Sequence, residues 1–145
     1  MTEEKVFDLS VNASLENLAE IRSYIDRAAT RLGVSESALG DLRLVVDEAV
    51  TNVIQYGYAD SEGVVEIHMH AEEDAVVLSI RDRARRFDPA QVEAPQLHTA
   101  LKDRPFGGMG IFLIREMTDE AIFLPRPGGG NELRLVKRGA IETVV

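Results

Sequence analysis

The change of hydrophobic periodicity after Gly57 is the feature that most limits the folds available to this chain. From about Ser35 to Gly57, apolar residues recur every three or four positions, which predicts a helix with one buried face. From Gly63 to Arg81, apolar and polar residues alternate, which predicts two strands joined by an acidic turn. The predicted strands are Val64 to Ala71 and Val76 to Arg81, with the turn at Glu72, Glu73 and Asp74. A helix followed by such a hairpin favours helices packed against a sheet.

The other periodic segments complete a single α+β domain over residues 1–145. They are a strand around residues 7–11, a helix that starts at the N-cap Ser14 and stops at Gly33, a helix from Gly108 to Met117, and strands Glu120 to Leu124 and Glu132 to Lys137. This order favours a two-layer α/β sandwich in which a mixed, mostly antiparallel sheet carries its helices on one face. Residues 83–107 contain three prolines and little periodicity, which is typical of a functional lid.

Composition excludes several kinds of site. The chain has no cysteine, so it has neither disulfides nor thiolate metal sites, and its net charge of −9 argues against general nucleic-acid binding. No apolar run approaches the ~20 residues of a membrane span and no signal-peptide pattern is present, so we expect a cytoplasmic protein. The segment from Arg81 to Arg104 nevertheless has six basic residues against four acidic ones. Such a segment suits either a compact polyanion or an ordinary solvated loop.

Strand parity singles out Asp82. Val76, Leu78 and Ile80 share the buried parity of their strand, and Asp82 continues it at the point where the strand ends. We therefore expect a partly buried carboxylate on the helical side of the sheet, with no local partner in the sequence. Burial of this group requires hydrogen-bond donors from elsewhere.

Two further segments offer groups that suit a phosphate ligand. Glu48 and Asn52 are four residues apart, so they stack on one side of the predicted helix, either as its solvated edge or as part of a site. The turn Gly107-Gly108-Met109-Gly110 opens a short helix, where glycines permit close backbone approach and free amides point at an anion. An ordinary turn from loop to helix has the same appearance when it is taken alone.

Taken together and in this order, three segments resemble the ATPase family shared by gyrase, heat-shock chaperone ATPases, histidine kinases and mismatch-repair ATPases. They are Leu42 to Ile54, Asp82 to Pro89 and Gly107 to Ile114. The compact branch of bacterial anti-sigma-factor serine/threonine kinases and related phosphatase-linked regulators is the most similar, and Met117 to Glu120 and Gly130 to Leu135 also look like it. The resemblance extends from the first strand to about Arg138 and implies a Bergerat-type ATP-binding fold.

The resemblance also implies a role for each matching residue. Asn52 would coordinate Mg²⁺ bridging the phosphates of ATP, Glu48 would act as general base, and Asp82 would accept a hydrogen bond from the adenine amino group. The implied nucleotide-binding set is completed by residues of the second and third segments: Ala84, Phe87, Gly107, Gly108, Met109 and Gly110. The 83–107 connection would be the nucleotide lid.

The function implied by the resemblance is that of a protein serine/threonine kinase that binds a sigma factor. Its phosphoryl acceptor would be an anti-sigma-factor antagonist, and the family expectation is a homodimer with no nucleic-acid or membrane partner. The chain departs from the family at Ala84, where glycine is usual, and a Cβ there could crowd adenine if the backbone needs positive φ. The alternative is therefore a partner-binding module without catalysis. Arg85 and Arg86, which follow, could reach phosphate or form a partner surface.

Several other polar and aromatic residues are expected to be solvent-exposed or to pack in the domain rather than to form a site. We expect Glu66, His68 and His70 to lie on the solvent face of a strand rather than in a metal site. His98 fits a solvated loop. Tyr56 and Tyr58, at the end of the second helix, are predicted to pack in the domain rather than to stack on bases.

Overall fold

The computed structural model describes residues 6–59, 61–88 and 108–142. The regular elements are β1 (Val6–Asn12), α1 (Leu18–Leu32), α2 (Glu36–Asn52), β2 (Val64–Glu72), β3 (Ala75–Asp82), α3 (Gly108–Met117), β4 (Glu120–Pro125) and β5 (Asn131–Lys137). The strands form one five-stranded sheet in the order β1-β2-β3-β5-β4, and every neighbouring pair is antiparallel. The predicted α+β architecture is confirmed, and the described sheet is wholly antiparallel rather than mixed.

The core lies between one face of the sheet and the helices. Val65, Ile67 and Met69 of β2 are fully buried, whereas the residues between them are half-buried, as alternation predicts. The helices supply the opposite side of the same apolar cluster, with Ile25 of α1 and Val46 of α2 almost fully buried. Each such aliphatic side chain contributes about 1.5–3 kcal/mol through burial.

The helix α1 starts later than the sequence indicates. Ser14 is an N-cap, but it caps a 3₁₀ turn at Leu15–Asn17, where its Oγ accepts from the Glu16 amide at 3.3 Å. The α-helix begins at Leu18, after this tighter turn. Its end is as predicted, because Gly33 adopts a left-handed conformation with φ of 80° that closes the helix.

The end of α2 differs from the prediction in kind. The α-helix stops at Asn52, and the chain continues as a π-helical turn over Val53–Tyr58 instead of as α-helix to Gly57. This wider turn brings Gly57 against Ala84: a Cβ built on Gly57 would lie 2.9 Å from the Ala84 Cβ. π-Helical turns occur frequently at functional sites. Here the turn begins directly after a predicted site residue.

Lysine 137 positions α3 over the sheet. The Lys137 ammonium of β5 donates to the carbonyl of Met117, the last residue of α3, at 2.7 Å. The same group lies 2.8 Å from an Asp41 carboxylate oxygen on α2. A cation at a helix C-terminus is favourable for the helix dipole. Lys137 thereby ties both site-bearing helices to the strand beneath them.

The opposite face of the sheet carries the two strand histidines. His68 Nδ1 lies 2.5 Å from an Asp8 oxygen, and His70 Nε2 lies 3.1 Å from a Glu72 oxygen. Within the described ranges, no group of three or more His, Cys, Asp and Glu residues could hold a metal ion. The histidines therefore pair with acidic neighbours on the face of the sheet opposite α1, α2 and α3, while His98 lies outside the described residues.

Candidate functional site

Asp82 ends β3 as a buried carboxylate, with 5% of its surface exposed. Its Oδ1 accepts hydrogen bonds from the Ala84 amide at 2.9 Å and from Asn131 Nδ2 at 3.0 Å, and Oδ2 accepts neither of them. The expectation that Asp82 has no local partner is wrong, because the backbone turns back and brings the Ala84 amide to it. Its placement on the helical side follows strand parity as predicted.

Ala84 fits its position without backbone strain. Positive φ among the described non-glycine residues occurs at Ala59 and Glu73, so the condition under which a Cβ at position 84 would crowd a base does not hold. The side chain is buried with its methyl group toward Gly57, and Ala84 is not among the residues that line the adjacent cleft. Ala84 therefore lies behind Asp82 and supports it through its amide.

Asn131 is a site residue that the sequence analysis did not identify. It stands opposite Asp82 in the β3–β5 register. Besides its bond to Asp82, its Nδ2 donates to the Arg85 carbonyl at 2.9 Å, and its Oδ1 accepts from the Phe87 amide at 2.8 Å. The available signal was parity, because Asn131 shares the strand face of Leu133 and Leu135. One amide side chain thus connects the whole 82–88 segment to β5.

Three arginines tie the same segment to the β4–β5 turn. Arg83 Nη1 donates to the carbonyls of Pro127 and Gly129 at 3.0 and 2.6 Å. The two terminal nitrogens of Arg86 donate to the carbonyls of Gly130 and Arg126 at 3.2 and 2.9 Å. In return, Arg126 Nη1 donates to the Asp82 carbonyl at 3.0 Å. We call Arg83, Arg86 and Arg126 the arginine clamp.

Glu48, Asn52 and Gly110 meet where α2 and α3 pack together. A Cβ built on Gly110 would lie 2.9 Å from Asn52 Nδ2 and 3.3 Å from Glu48 Oε2. Both α2 side chains are half-buried, and within the described part of the chain neither makes a hydrogen bond. The two polar groups and the start of α3 are therefore adjacent, as the spacing suggests.

The remaining predicted residues of the glycine turn and lid are described only in part. Gly108 opens α3, whereas Gly107, the side chain of Met109 and residues 89–106 lie outside the described structure. The phosphate-binding role of this turn stays a prediction.

A cleft joins the Asp82 end to Asn52. The cleft is concave and partly open to solvent. Its walls are mostly apolar and include Val53, Ile80, Ile111, Ile114, Phe87, Phe123 and Leu133, with Asp82 and Asn131 among the polar groups. Phe87 and Phe123 contact each other with ring centroids 5.3 Å apart. The cleft suits a flat apolar ring with a hydrogen-bond donor directed at the carboxylate.

The two tyrosines at the end of the π-helical turn have different surroundings. Tyr58 is buried, donates to the Val64 carbonyl at 2.8 Å and accepts from the Arg83 amide at 2.8 Å, which confirms the packing role predicted for it. Tyr56 is 39% exposed and lines the cleft. The prediction of a packing role for Tyr56 is therefore only partly right.

A family model and two sequence relatives agree with the resemblance to the ATPase family. The model of the histidine kinase-like ATPase domain matches residues 11–137. The serine-protein kinase RsbW of Staphylococcus aureus is 28% identical over 134 residues, covering 88% of this chain and 84% of that protein. The Oceanobacillus iheyensis serine-protein kinase RsbW is 30% identical over 125 residues, with 83% and 79% covered.

A solved structure agrees on the fold. The crystal structure of the RsbU and RsbW domains of a Mycobacterium tuberculosis protein superposes with a TM-score of 0.66 at 18% identity. The match covers 96% of this chain but only 35% of the other, so the present chain spans about a third of that protein. The sheet, the placement of the helices and the sequence relatives all agree with the resemblance seen in the three segments. The chain belongs to the histidine kinase-like ATPase domain family, in the branch that contains the RsbW serine-protein kinases.

Proposed function

We propose that this protein binds ATP with Mg²⁺ and phosphorylates an anti-sigma-factor antagonist on serine or threonine, and that it also binds a sigma factor. The observation that carries the proposal is one continuous site. Asp82 stands at one end of an apolar cleft, and the other end reaches Asn52, which lies beside Glu48 and Gly110. The names of the RsbW relatives supply the reaction class.

The residues of the Asp82 end fit adenine. Among the described residues Oδ2 of Asp82 accepts no hydrogen bond, so it is the proposed acceptor for the exocyclic amino group of the base. The apolar walls suit the two faces of a purine. A purine carrying an amino donor therefore matches the polarity of this end.

The residues of the other end fit a magnesium–phosphate group. Mg²⁺ is usually held by one or two protein oxygens together with substrate phosphates, so the Asn52 amide oxygen is a sufficient protein ligand. The missing side chain at Gly110 leaves space beside Asn52 and Glu48 that a Cβ would fill. When bound, the ion would neutralise charge on the phosphates.

The transfer step then uses Glu48 as general base. Its carboxylate accepts the hydroxyl proton of the substrate serine or threonine while the hydroxyl oxygen forms a bond to the γ-phosphorus. The bond between the γ-phosphorus and the bridging oxygen breaks, and ADP leaves with that oxygen. Free amides at the start of α3 stabilise charge on the transferred group.

The cellular part of the proposal follows the family. We propose a cytoplasmic homodimer whose partners are the sigma factor and its antagonist, with no nucleic-acid or membrane partner. The net charge of −9 supports the exclusion of nucleic acid. No helix in the described ranges is long and apolar enough to cross a membrane.

A phosphoryl-transfer assay tests the proposal. The protein is mixed with labelled ATP, Mg²⁺ and candidate antagonist proteins from the same genome, and label on the antagonist is measured. We expect Glu48→Gln to lower the transfer rate by about 10²–10⁴-fold. Glu36→Gln, an exposed change at the opposite end of α2, is the matched control and should transfer as well as wild type. Wild-type rates in Glu48→Gln would exclude Glu48 as the base.

The alternative of a non-catalytic binding module rested on Ala84. The described backbone at this residue needs no glycine, which weakens that ground. Calorimetry and thermal shift with a nonhydrolysable ATP analogue separate the two functions. If millimolar nucleotide gives no heat of binding and no shift in melting temperature, the non-catalytic binding module is favoured.

A further inference from the structure

We propose that Arg83 and Arg86 are positioning residues for base recognition, which hold Asp82 in place by tying its following segment to the β4–β5 turn. This inference rests on the proposed function in one respect, namely that the base recognised by Asp82 is adenine. The family resemblance does not supply it, because glycine or proline is common where this chain has Arg85 and Arg86.

Arg86 makes the two-pronged part of the clamp. Its two terminal nitrogens donate to carbonyls on either side of the turn, at Gly130 and Arg126. A guanidinium is suited to this task because its donors are fixed in one plane. Each terminal nitrogen of Arg86 therefore has a carbonyl partner on the turn, although the side chain also lines the cleft. A comparison of nucleotides with and without the amino group separates positioning of the loop from direct contact with the phosphates.

Arg83 and Arg126 close the clamp from opposite directions. Arg83 reaches from the Asp82 segment to the turn, and Arg126 reaches from the turn back to the Asp82 carbonyl. The close approach requires glycine at position 130, where φ is +93° and a Cβ would lie 2.1 Å from the Asp82 carbonyl oxygen. The backbone of Asp82 is thus held from the side of the β4–β5 turn.

The clamp acts on the carboxylate through the backbone that follows it. The Ala84 amide that holds Oδ1 and the Phe87 amide that bonds Asn131 both belong to the clamped segment. If this segment moves, Oδ1 loses a donor and Oδ2 loses its fixed direction. A binding group that is already oriented avoids an entropic cost when the ligand arrives. The clamp should therefore matter for the amino group of the base and not for the phosphates.

Neighbouring arginines provide internal comparisons. Arg85 is exposed, lines the cleft and makes no side-chain hydrogen bond among the described residues, so Arg85→Ala removes the same charge from the same segment. Arg134 lies on the face of β5 opposite to Leu133 and Leu135. Its side chain is exposed and has no described partner. It serves as the control for loss of an arginine from the fold as a whole.

The test compares two nucleotides by calorimetry in the full-length protein. ATP carries the amino group that Asp82 would read, whereas purine riboside triphosphate lacks it. We expect Arg86→Ala to weaken the binding of ATP by about tenfold and the binding of the analogue by less than about twofold, so the preference for ATP over the analogue falls. Arg86→Lys keeps the charge but loses the planar pair of donors, and it should weaken ATP binding by about threefold. Arg134→Ala should match wild type, and the transfer rate at saturating ATP should stay unchanged in Arg86→Ala.

Four outcomes would overturn the positioning role. They are equal losses for both nucleotides in Arg86→Ala, wild-type ATP affinity in that variant, a lower transfer rate at saturating ATP, or a loss in Arg85→Ala that equals the loss in Arg86→Ala. Melting temperatures identify variants that do not fold, for which Arg86→Lys decides.

If wild type binds neither nucleotide, the proposed function fails, and amide hydrogen exchange then judges the clamp by itself. Faster exchange at Ala84 and Phe87 in Arg86→Ala supports it, and unchanged exchange overturns it.

Discussion

The two ends of the cleft use the same residue type in opposite ways. At the Asp82 end, the side chain of Asn131 makes three hydrogen bonds, to Asp82, Arg85 and Phe87. At the Glu48 end, Asn52 makes none within the described residues. One asparagine is therefore committed to the fold, whereas the lack of described partners at the other fits the ligand role proposed for it.

The proposed function offers a physical reason for this difference between the two ends. A base is read by the direction of a few neutral hydrogen bonds, and direction requires groups that are fixed before binding. A magnesium–phosphate group carries its own charge and completes its coordination with water and phosphate oxygens, so a protein ligand can stay unpaired beforehand. The comparison predicts that loss of a hydrogen-bonding side chain at the Asp82 end, Asp82 or Asn131, changes stability and affinity together. Variants at the Glu48 end should change affinity or rate alone.

The largest effect should come from Asp82→Ala. It leaves the buried Ala84 amide without its acceptor and removes one of two acceptors from Asn131 Nδ2. We expect the free energy of unfolding to fall by about 3 kcal/mol and ATP binding to be lost. Urea unfolding and calorimetry measure the two effects.

Asp82→Asn is the matched variant. An amide oxygen can still accept from Ala84 and Asn131, but an NH₂ group replaces Oδ2 and faces the amino group of adenine. Stability should fall by only about 1 kcal/mol, with ATP binding still lost. If Asp82→Asn binds ATP as tightly as wild type, Asp82 does not read the amino group.

The next effect sets Asn131→Ala against Asn52→Ala. The first variant removes three hydrogen bonds from the 82–88 segment and should lower the free energy of unfolding by about 2 kcal/mol. The second should change it by less than about 0.5 kcal/mol while it weakens magnesium-dependent ATP binding. Equal losses of stability, measured by urea unfolding, would contradict the difference between the two ends.

Gly110→Ala should have a smaller effect on stability and act on binding. Its Cβ would come within 2.9 Å of Asn52 Nδ2, so the amide must turn away from the space that the phosphates would occupy. Alanine is favoured over glycine in a helix by about 1 kcal/mol, which offsets part of the crowding. We expect a roughly tenfold loss of ATP affinity with little change in melting temperature. Unchanged affinity would show that Asn52 is not needed in its present orientation.

The sequence could predict the elements and the buried direction of Asp82 because these depend on local periodicity. Alternation along β3 placed the carboxylate on the helical face, and Gly33 ended α1 as expected. The π-helical turn after Asn52 was not predicted, and neither was the contact that it places between Gly57 and Ala84, 27 positions apart in the chain. Local propensity does not distinguish α-helix from π-helix there.

The candidate site could likewise be predicted where it depends on local spacing, and not where it depends on contacts between distant parts of the chain. Glu48, Asn52 and the start of α3 were found through spacing and family resemblance. The clamp and Asn131 were missed, because each depends on which part of β5 and its turn lies opposite Asp82. The sequence does not distinguish a loop arginine that faces solvent from one that donates to a row of backbone carbonyls.

The smallest effect, from Ala84→Gly, bears most directly on the departure from the family. Restoring the usual glycine removes a buried methyl group and frees the backbone, so stability should fall by about 1 kcal/mol. ATP affinity should stay within about twofold of wild type, because the methyl group points to Gly57 and not into the cleft. Gly57→Ala alone should destabilise the protein, because its Cβ would lie 2.9 Å from that of Ala84. Combining the two changes moves the methyl group across the contact and should recover stability to within about 0.5 kcal/mol of wild type. Tighter ATP binding in Ala84→Gly would instead show that the alanine crowds the nucleotide after all.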